Sequence, residues 1–210
     1  MALKTLRHKT FNDNIAEQNS YLLAKDGEAF VIDPGFNGTA LCAYLDDHGL
    51  ALRAVLLTHG HFDHLRDLVS LAKTHRFTIH IHELDREALR DESRNYARAF
   101  NARFLVPDHL ELITHKDTDT IMLLGETIRV IHTPGHTAGS VCYALGDTLF
   151  TGDTLFSDGV GRTDLFGGSA SALRKSLARI VREFSRGTPI CSGHGEAARL
   201  ADVLTSNPDL

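Results

Sequence analysis

The amino-acid sequence predicts an α/β fold, in which β-strands and amphipathic helices alternate along a single domain of residues 1–210. Short β-rich runs are interleaved with helical patterns through the whole chain, an order typical of sheet-and-helix domains. A length of 210 residues lies within the range of one domain. The hydrophobic fraction of 42% is enough for a sizeable core. No internal repeat or Pro/Gly/Ser-rich linker divides the chain.

The first half of the chain contains four strand patterns. They are short β-rich or apolar runs at residues 20–24, 29–32, 53–58 and 77–81. The third is a continuous apolar run, typical of a buried strand, and it ends directly before His59. Periodic apolar or charged patterns predict helices at residues 39–48, 64–74 and 83–91. Residues 92–108 have no clear pattern and are interpreted as a long loop or lid.

The second half repeats this arrangement. Strands are predicted at residues 127–132, 141–145, 148–151 and 188–191. Residues 169–184 form the strongest helix pattern, with Ser169 as a candidate N-cap. A final helix is predicted at residues 196–204. Histidine and aspartate residues, which can bind metal ions, recur directly after the strand runs in glycine-containing turns. Loops at such positions are where a rigid scaffold usually presents functional groups.

Composition and charge argue against several classes of protein. The net charge is -5 and the pI is about 6.2, without a basic block, so we expect no nucleic-acid partner. The N-terminus lacks an apolar leader and no stretch reaches membrane-spanning length, which predicts a cytoplasmic protein with no membrane partner. Three widely spaced cysteines, Cys42, Cys142 and Cys191, indicate free thiols.

Residues 58–64, with the sequence Thr-His-Gly-His-Phe-Asp-His, predict a metal site. His59 and His61 flank a glycine, and a compact turn there can aim both imidazoles at one ion. Asp63 and His64 follow where the next helix should begin, well placed to reach a second ion. Imidazole and carboxylate groups are ligands for zinc, iron or manganese. Buried His and Asp at this density need partners, which a metal ion supplies.

Four motifs follow one another in an order typical of one superfamily. They are His-x-His-x-Asp-His at residues 59–64, Thr-Pro-Gly-His-Thr-Ala-Gly-Ser at 133–140, Thr-Gly-Asp-Thr at 151–154 and Ser-Gly-His-Gly at 192–195. Through them the chain resembles the metallo-β-lactamase superfamily over nearly its whole length. The resemblance implies a four-layer αβ/βα sandwich, with two mixed β-sheets flanked by helices.

The resemblance also implies seven metal ligands. They are His59, His61 and His136 on one ion, Asp63, His64 and His194 on the other, and Asp153 bridging both. We therefore expect two divalent ions, with zinc as the first choice and iron or manganese as alternatives. Asp63 and Asp153 are also predicted to act in catalysis.

The predicted chemistry is hydrolysis by water activated between two ions. Two metal ions about 3.5–4 Å apart can share a water and lower its pKa toward 7. Within the superfamily, the chain most resembles the short glyoxalase II-like hydrolases, which lack the helical domain that binds glutathione in full-length glyoxalase II. This implies a small-molecule thioester substrate of the S-lactoylglutathione class. A thiolate leaves at neutral pH with little need of a general acid.

Other functions stay open on the sequence. A persulfide-dioxygenase-like oxidoreductase would hold one iron through His59, His136 and Asp153, and residues 161–164, Gly-Arg-Thr-Asp, support it by resemblance. Hydrolysis of a lactone or phosphodiester is a second alternative, and a non-catalytic metal-binding module is a third. Arg162 either clamps a substrate carboxylate or only pairs with Asp164 to order the loop.

The other histidines have less specific interpretations. His80 and His82 alternate on a predicted strand and so face one side, which would allow a second metal pair, but no third ligand accompanies them. His132 precedes the Thr-Pro-Gly turn and is a candidate support for His136. His8, His48, His75, His109 and His115 are interpreted as solvated or locally hydrogen-bonded.

Overall fold

The computed structural model describes residues 7–209, and two six-stranded β-sheets form the centre of this part of the chain. The first sheet has the order β1–β6: Arg7–Asn12, Asn19–Lys25, Glu28–Ile32, Ala51–Leu56, Thr78–His82 and Glu111–His115. The second runs from β7 at one edge through β8, β9, β10 and β11 to β12: Thr120–Leu123, Glu126–His132, Val141–Leu145, Thr148–Gly152, Pro189–Ser192 and Ala198–Arg199. Both sheets combine parallel and antiparallel pairs.

Helices cover the outer faces of the two sheets. They are α1–α5 in chain order: Gly38–Asp47, Phe62–Leu65, Leu68–Thr74, Ala170–Glu183 and Leu200–Ser206. Two 3₁₀ helices, Glu83–Leu89 and Ala97–Phe100, lie between β5 and β6. Among residues 7–209 there is no helix with the length and apolar character needed to cross a membrane.

Three apolar layers hold the four structural layers together. Successive side chains of a strand point to opposite faces, so one strand serves two layers. In β2, Leu22 packs in the layer beneath α1 and α3, whereas Tyr21 packs between the sheets. In β9, Tyr143 faces the other sheet and Cys142 lies in the layer beneath α4 and α5. The predicted four-layer sandwich with two mixed sheets is thereby confirmed.

Most predicted elements are present, with changes at their ends. Ser169 caps α4 as predicted, since its hydroxyl accepts a hydrogen bond from the N–H of Ala172 at 3.3 Å. The single helix predicted at residues 64–74 is wrong. It is split into α2 and α3, and between them Asp67 accepts a hydrogen bond from the N–H of Gly38 at 2.6 Å. The predicted helix 83–91 is the shorter 3₁₀ helix Glu83–Leu89.

The four strands that sequence patterns did not predict are the four edge strands of the two sheets. These are β1, β6, β7 and β12. An edge strand pairs on one side only and carries a weaker apolar pattern than a central strand. In β1, five of six residues are exposed. The helix predicted at residues 196–204 is present as α5 but begins later, at Leu200, because Ala198 and Arg199 first pair with β11.

The three cysteines and the long irregular segment agree with their predictions. Cys42 is half-buried, Cys142 and Cys191 are buried, and all three are free thiols. Residues 92–108 contain turns, irregular backbone and the 3₁₀ helix Ala97–Phe100. This segment is anchored by Ala97 and Phe104, which are buried in the layer beneath α1 and α3.

Candidate metal centre

All seven predicted ligands meet at one end of the sandwich, in segments that follow four strands. The strand β4 belongs to the first sheet, whereas β8, β10 and β11 belong to the second. The loop after β4 with the first turn of α2 carries four ligands, and the other three loops carry one each: His59, His61, Asp63 and His64, then His136, Asp153 and His194. The sheets therefore bring together residues that are distant in sequence.

The first group, called here the three-imidazole group, consists of His59, His61 and His136. One ring nitrogen of each lies within 4.8 Å of the others, and Nδ1 of His61 is 2.8 Å from Nε2 of His136. All three rings are buried. Burial and the charge of the neighbouring His136 lower the pKa of His61 to about 3. Its ring is therefore neutral at pH 7, the form that binds a metal ion.

The second group, called here the mixed group, consists of Asp63, His64 and His194. Their oxygen and nitrogen atoms also lie within 4.8 Å of one another. Nε2 of His194 is 3.4 Å from Oδ2 of Asp63 and 3.4 Å from Nε2 of His64. Burial opposes the charged form of His194, but the hydrogen bond to Asp63 and the charge of Asp153 raise its pKa. A cation here would find both a carboxylate and imidazoles.

Asp153 lies between the two groups. Its Oδ1 is 3.2 Å from Nε2 of His64, and its Oδ2 is 3.4 Å from Nε2 of His136 and 3.6 Å from Nε2 of His194. Burial acts to raise the pKa of Asp153, but the charges of the surrounding histidines, first His64, hold it well below its usual range. Asp153 is thus a carboxylate that touches both groups, as a bridging ligand must.

The donor atoms fit divalent cations. Nε2 of His59 and Nε2 of His61 are buried without a hydrogen-bond partner among the described residues, and the buried Oδ1 of Asp153 has only its ionic contact with Nε2 of His64. Leaving a buried polar atom unsatisfied costs about 1–3 kcal/mol, and native folds rarely tolerate several together. A cation coordinated by these atoms would satisfy them all. That each of the seven residues is a ligand stays a prediction.

Asp33 supports the mixed group and was not recognised in the sequence as a site residue. It follows β3, and its Oδ2 lies 2.9 Å from Nδ1 of His64. The same carboxylate accepts hydrogen bonds from the backbone N–H of Thr58 at 2.8 Å and from its hydroxyl at 2.6 Å. Such partners orient a ligating imidazole. A signal was present, because Asp33 stands at a strand end before a glycine-containing turn, as the ligands do.

The loops of His136 and His194 have backbone supports of their own. Nδ2 of Asn19 donates to the carbonyl oxygens of Ser192 at 3.1 Å and Gly195 at 2.7 Å, on either side of His194. Nδ1 of His136 lies 2.8 Å from the carbonyl oxygen of Arg162. Nothing in the local sequence marks Asn19, since its partners lie more than 170 residues away.

A cleft of about 470 Å³ opens over the centre. Its lining combines five of the predicted ligands and Arg162 with a largely apolar set: Tyr96, Ala99, Phe100, Phe156 and Leu165. Tyr96 has a left-handed backbone, with φ of 62°, which is uncommon for a residue with a large side chain. Its ring packs 5.2 Å from that of His61, and its hydroxyl accepts a hydrogen bond from the N–H of Phe166. Part of residues 92–108 therefore forms a wall of the cleft.

Arg162 pairs with Asp164 at the rim of this cleft. Its Nε and Nη2 each donate to one carboxylate oxygen at 2.7 Å. The two side chains are 63% and 66% exposed. The predicted ion pair between Arg162 and Asp164 is thus present. The guanidinium of Arg162 also borders the cleft.

His80 and His82 have no third metal ligand beside them among the described residues. Nδ1 of His80 is 2.8 Å from Nε2 of His115, and the ring of His82 stacks on that of His132. Residues 7–209 contain no metal-type group of three that includes them. His115, interpreted as solvated or locally bonded, is buried against a distant strand residue. His132 supports the His136 loop through Nε2, which lies 2.9 Å from the carbonyl oxygen of Ala138.

Comparison with known proteins decides the family. A sequence model of the metallo-beta-lactamase superfamily matches residues 15–185, which is most of the chain and includes six of the seven predicted ligands. The chain belongs to the metallo-beta-lactamase superfamily. The probable metallo-hydrolase YqgX of Bacillus subtilis is 32% identical over 200 residues, covering 92% of this chain and 92% of the relative. A hydroxyacylglutathione hydrolase of Shewanella loihica is 33% identical over 202 residues, covering 95% of this chain and 68% of the relative.

Solved structures of the superfamily have the same fold. BLEG-1, described as a B3 metallo-beta-lactamase, matches with a TM-score of 0.87 and 31% identity, covering 96% of this chain and 98% of BLEG-1. TTHA1623 in a di-iron-bound form matches with a TM-score of 0.84 and 31% identity, covering 96% of this chain and 100% of TTHA1623. Superfamily membership together with the His/Asp centre supports a metal-dependent hydrolase.

Proposed function

We propose that this chain hydrolyses small-molecule thioesters at a centre of two divalent ions. The observation that carries the proposal is the pairing of two complete ligand groups through Asp153. A single-ion site would need only one of them. The thioester class is supported by the glyoxalase II-like motifs and by similarity to a hydroxyacylglutathione hydrolase.

The ligand assignment follows the two groups. The three-imidazole group would hold one ion, the mixed group the other, and Asp153 would contact both. Bound there, divalent ions would supply Lewis acidity and lower the pKa of a coordinated water toward neutrality. The donor set accepts zinc, our first choice, and also iron, which is supported by the di-iron form of TTHA1623.

The two catalytic carboxylates have different tasks. Asp153 is buried and lies between the groups, and as a ligand of both ions it would fix their separation. Asp63 borders the cleft, and its side chain is 20% exposed. Burial acts to raise the pKa of Asp63, but the charge of His64 and the hydrogen bond from His194 lower it. Asp63 is therefore ionised at neutral pH, and we assign to it the removal of the proton from the attacking water.

The cleft suits a thioester of modest size. Its volume of about 470 Å³ lies in the range of small-molecule sites. The apolar wall formed by Tyr96, Phe100, Phe156 and Leu165 would receive carbon chains on either side of the reacting carbonyl. A thiolate leaving group needs little protonation, so the absence of a dedicated acid from this mechanism is no obstacle.

A substrate panel tests the proposal. Protein loaded with zinc is assayed with S-lactoylglutathione, a simple acyl thioester, a lactone and a phosphodiester of similar size. We expect thioester turnover well above lactone and phosphodiester turnover. Robust lactone hydrolysis without thioester hydrolysis would overturn the substrate assignment. One iron per chain together with oxygen uptake on a persulfide would overturn the hydrolase itself.

A further inference from the structure

Asp85 is a buried carboxylate that has no task in the reaction described above. It lies in the 3₁₀ helix Glu83–Leu89 and is 7% exposed. Its Oδ2 accepts hydrogen bonds from the N–H of Gly60 at 2.9 Å and the hydroxyl of Thr137 at 2.7 Å. Its Oδ1 accepts one from the N–H of Gly139 at 2.8 Å. Burying a carboxylate is unfavourable, and these bonds compensate for it.

The three partners of Asp85 belong to two different ligand loops. Gly60 stands between His59 and His61, and Thr137 directly follows His136. The first loop follows β4 of the first sheet and the second follows β8 of the second sheet. One carboxylate therefore bonds to both loops of the three-imidazole group, across the interface between the sheets.

The backbones of both loops lie against the 3₁₀ helix. A Cβ atom at Gly60 would lie 2.4 Å from Cβ of Ala88, and one at Gly139 would lie 2.6 Å from the carboxylate of Asp85. These separations are shorter than side-chain contacts allow, so both loops need glycine to approach so closely. The close approach brings their N–H groups within hydrogen-bond reach of Asp85.

The mixed group does not depend on Asp85. His64 is held by Asp33, and the loop of His194 is held by Asn19. Asp85 has no hydrogen bond to any of these residues among the bonds described. Within the described part of the chain, Asp85 bonds only to the two loops of the three-imidazole group, so its contribution can be tested apart from those of Asp33 and Asn19.

We propose that Asp85 is a positioning residue for the three-imidazole group. It holds the His59–His61 turn and the His136 turn at the separation at which all three imidazoles can bind one ion. It acts through backbone N–H groups and does not touch the ion. This inference rests on the two-ion centre proposed above.

The test is zinc affinity in the variant Asp85→Asn. The amide keeps the shape of the side chain. Its NH₂ group, however, would face one of the N–H or O–H groups that donate to the carboxylate of Asp85. In a competition titration of zinc against a chelator, we expect one of the two ions to bind about 10–100-fold more weakly, as is usual when a support of a ligand is lost. The other ion should bind as in the wild type. Thr137→Val removes one of the three bonds and should weaken the same ion by less.

Asp67→Asn is the matched control. Asp67 is 2% exposed and accepts hydrogen bonds from Gly38, Arg66 and Ser70, none of them a predicted ligand. We expect it to lower thermal stability and leave both zinc affinities unchanged. The proposal is overturned if Asp85→Asn binds two ions with wild-type affinity. Equal weakening of both ions in Asp85→Asn would also overturn it.

The same titration separates this inference from the proposed function. The zinc affinities are measured without substrate. If the wild type does not hydrolyse thioesters but Asp85→Asn loses one zinc selectively, the substrate assignment fails and the role of Asp85 stands. If thioester turnover is found but Asp85→Asn binds both ions normally, the role of Asp85 fails and the function stands.

Discussion

The carboxylate of Asp33 lies 2.9 Å from Nδ1 of His64, while Nε2 of the same ring lies 3.2 Å from Asp153. A proton on Nδ1, donated to Asp33, leaves Nε2 with its lone pair directed at the centre. The buried carboxylate also receives both donors of Thr58, the residue that precedes His59. Asp33 therefore supports the mixed group through His64. It also holds Thr58, at the start of the loop that carries His59 and His61 of the three-imidazole group.

Asp33→Asn should weaken metal binding about 10–100-fold. The amide cannot accept hydrogen bonds at both of its heavy atoms, so an NH₂ group would face a donor of Thr58 or His64. Chelator competition with zinc measures the change, and the mixed group should be affected most. Wild-type affinity in the variant would contradict the role given to Asp33.

His59→Ala should abolish hydrolysis and reduce bound metal. The ring supplies one of the three nitrogens of the three-imidazole group, so the loss of turnover should exceed the roughly 10–100-fold typical of an outer support. Elemental analysis and steady-state kinetics measure both effects. His109→Ala is the control, because His109 is exposed and belongs to neither group. Full turnover in His59→Ala would refute the proposed centre.

Variants of Arg162 and Asp164 can show whether Arg162 binds a substrate carboxylate or only pairs with Asp164 to order the loop. If Arg162 binds a substrate carboxylate, Arg162→Gln should raise KM about tenfold for a carboxylate-bearing thioester and leave a neutral thioester unaffected. Asp164→Asn would then free the guanidinium and lower KM for the charged substrate. If both variants reduce turnover of both thioesters equally, the pair only orders the loop.

His80 and His82 should make the fold sensitive to acid. Burial and the neighbouring His115 lower the pKa of His80 to about 4, and burial and His132 lower that of His82 to about 4. In the unfolded chain both would titrate near 6.5. Their contribution to stability is thus fully present above pH 6.5 and is lost as the pH falls toward 4.

Urea unfolding at several pH values measures this effect. The double variant His80→Gln, His82→Gln should lose less free energy of unfolding between pH 7 and pH 4.5 than the wild type. Histidines of the metal centre contribute equally to the pH dependence of stability in both proteins. The difference between the two curves of unfolding free energy against pH therefore reports on His80 and His82 alone. Parallel curves would show that these two rings do not control the acid response.

Sequence patterns predicted the central strands, and sequence motifs predicted a set of ligands whose donor atoms lie together in the structure. His59 follows an apolar run and stands in a dense cluster of His and Asp, so the local pattern marks it, whereas Asp153 and His194 were predicted as ligands through the resemblance to a known family. Asp85 lies in a charged stretch without such a mark, and its partners Gly60 and Gly139 become neighbours only when the two sheets pack. The edge strands were not predicted for a related reason. They bury too little apolar surface to give their sequences a clear apolar pattern.

Zinc titration of metal-free protein during thioester hydrolysis tests the central claim most directly. Two ligand groups joined by Asp153 predict that activity rises until two equivalents of zinc are bound and then stays constant. A plateau at one equivalent, with no further change on addition of the second, would contradict a two-ion centre. Absence of thioester hydrolysis at every zinc ratio would contradict the proposed reaction.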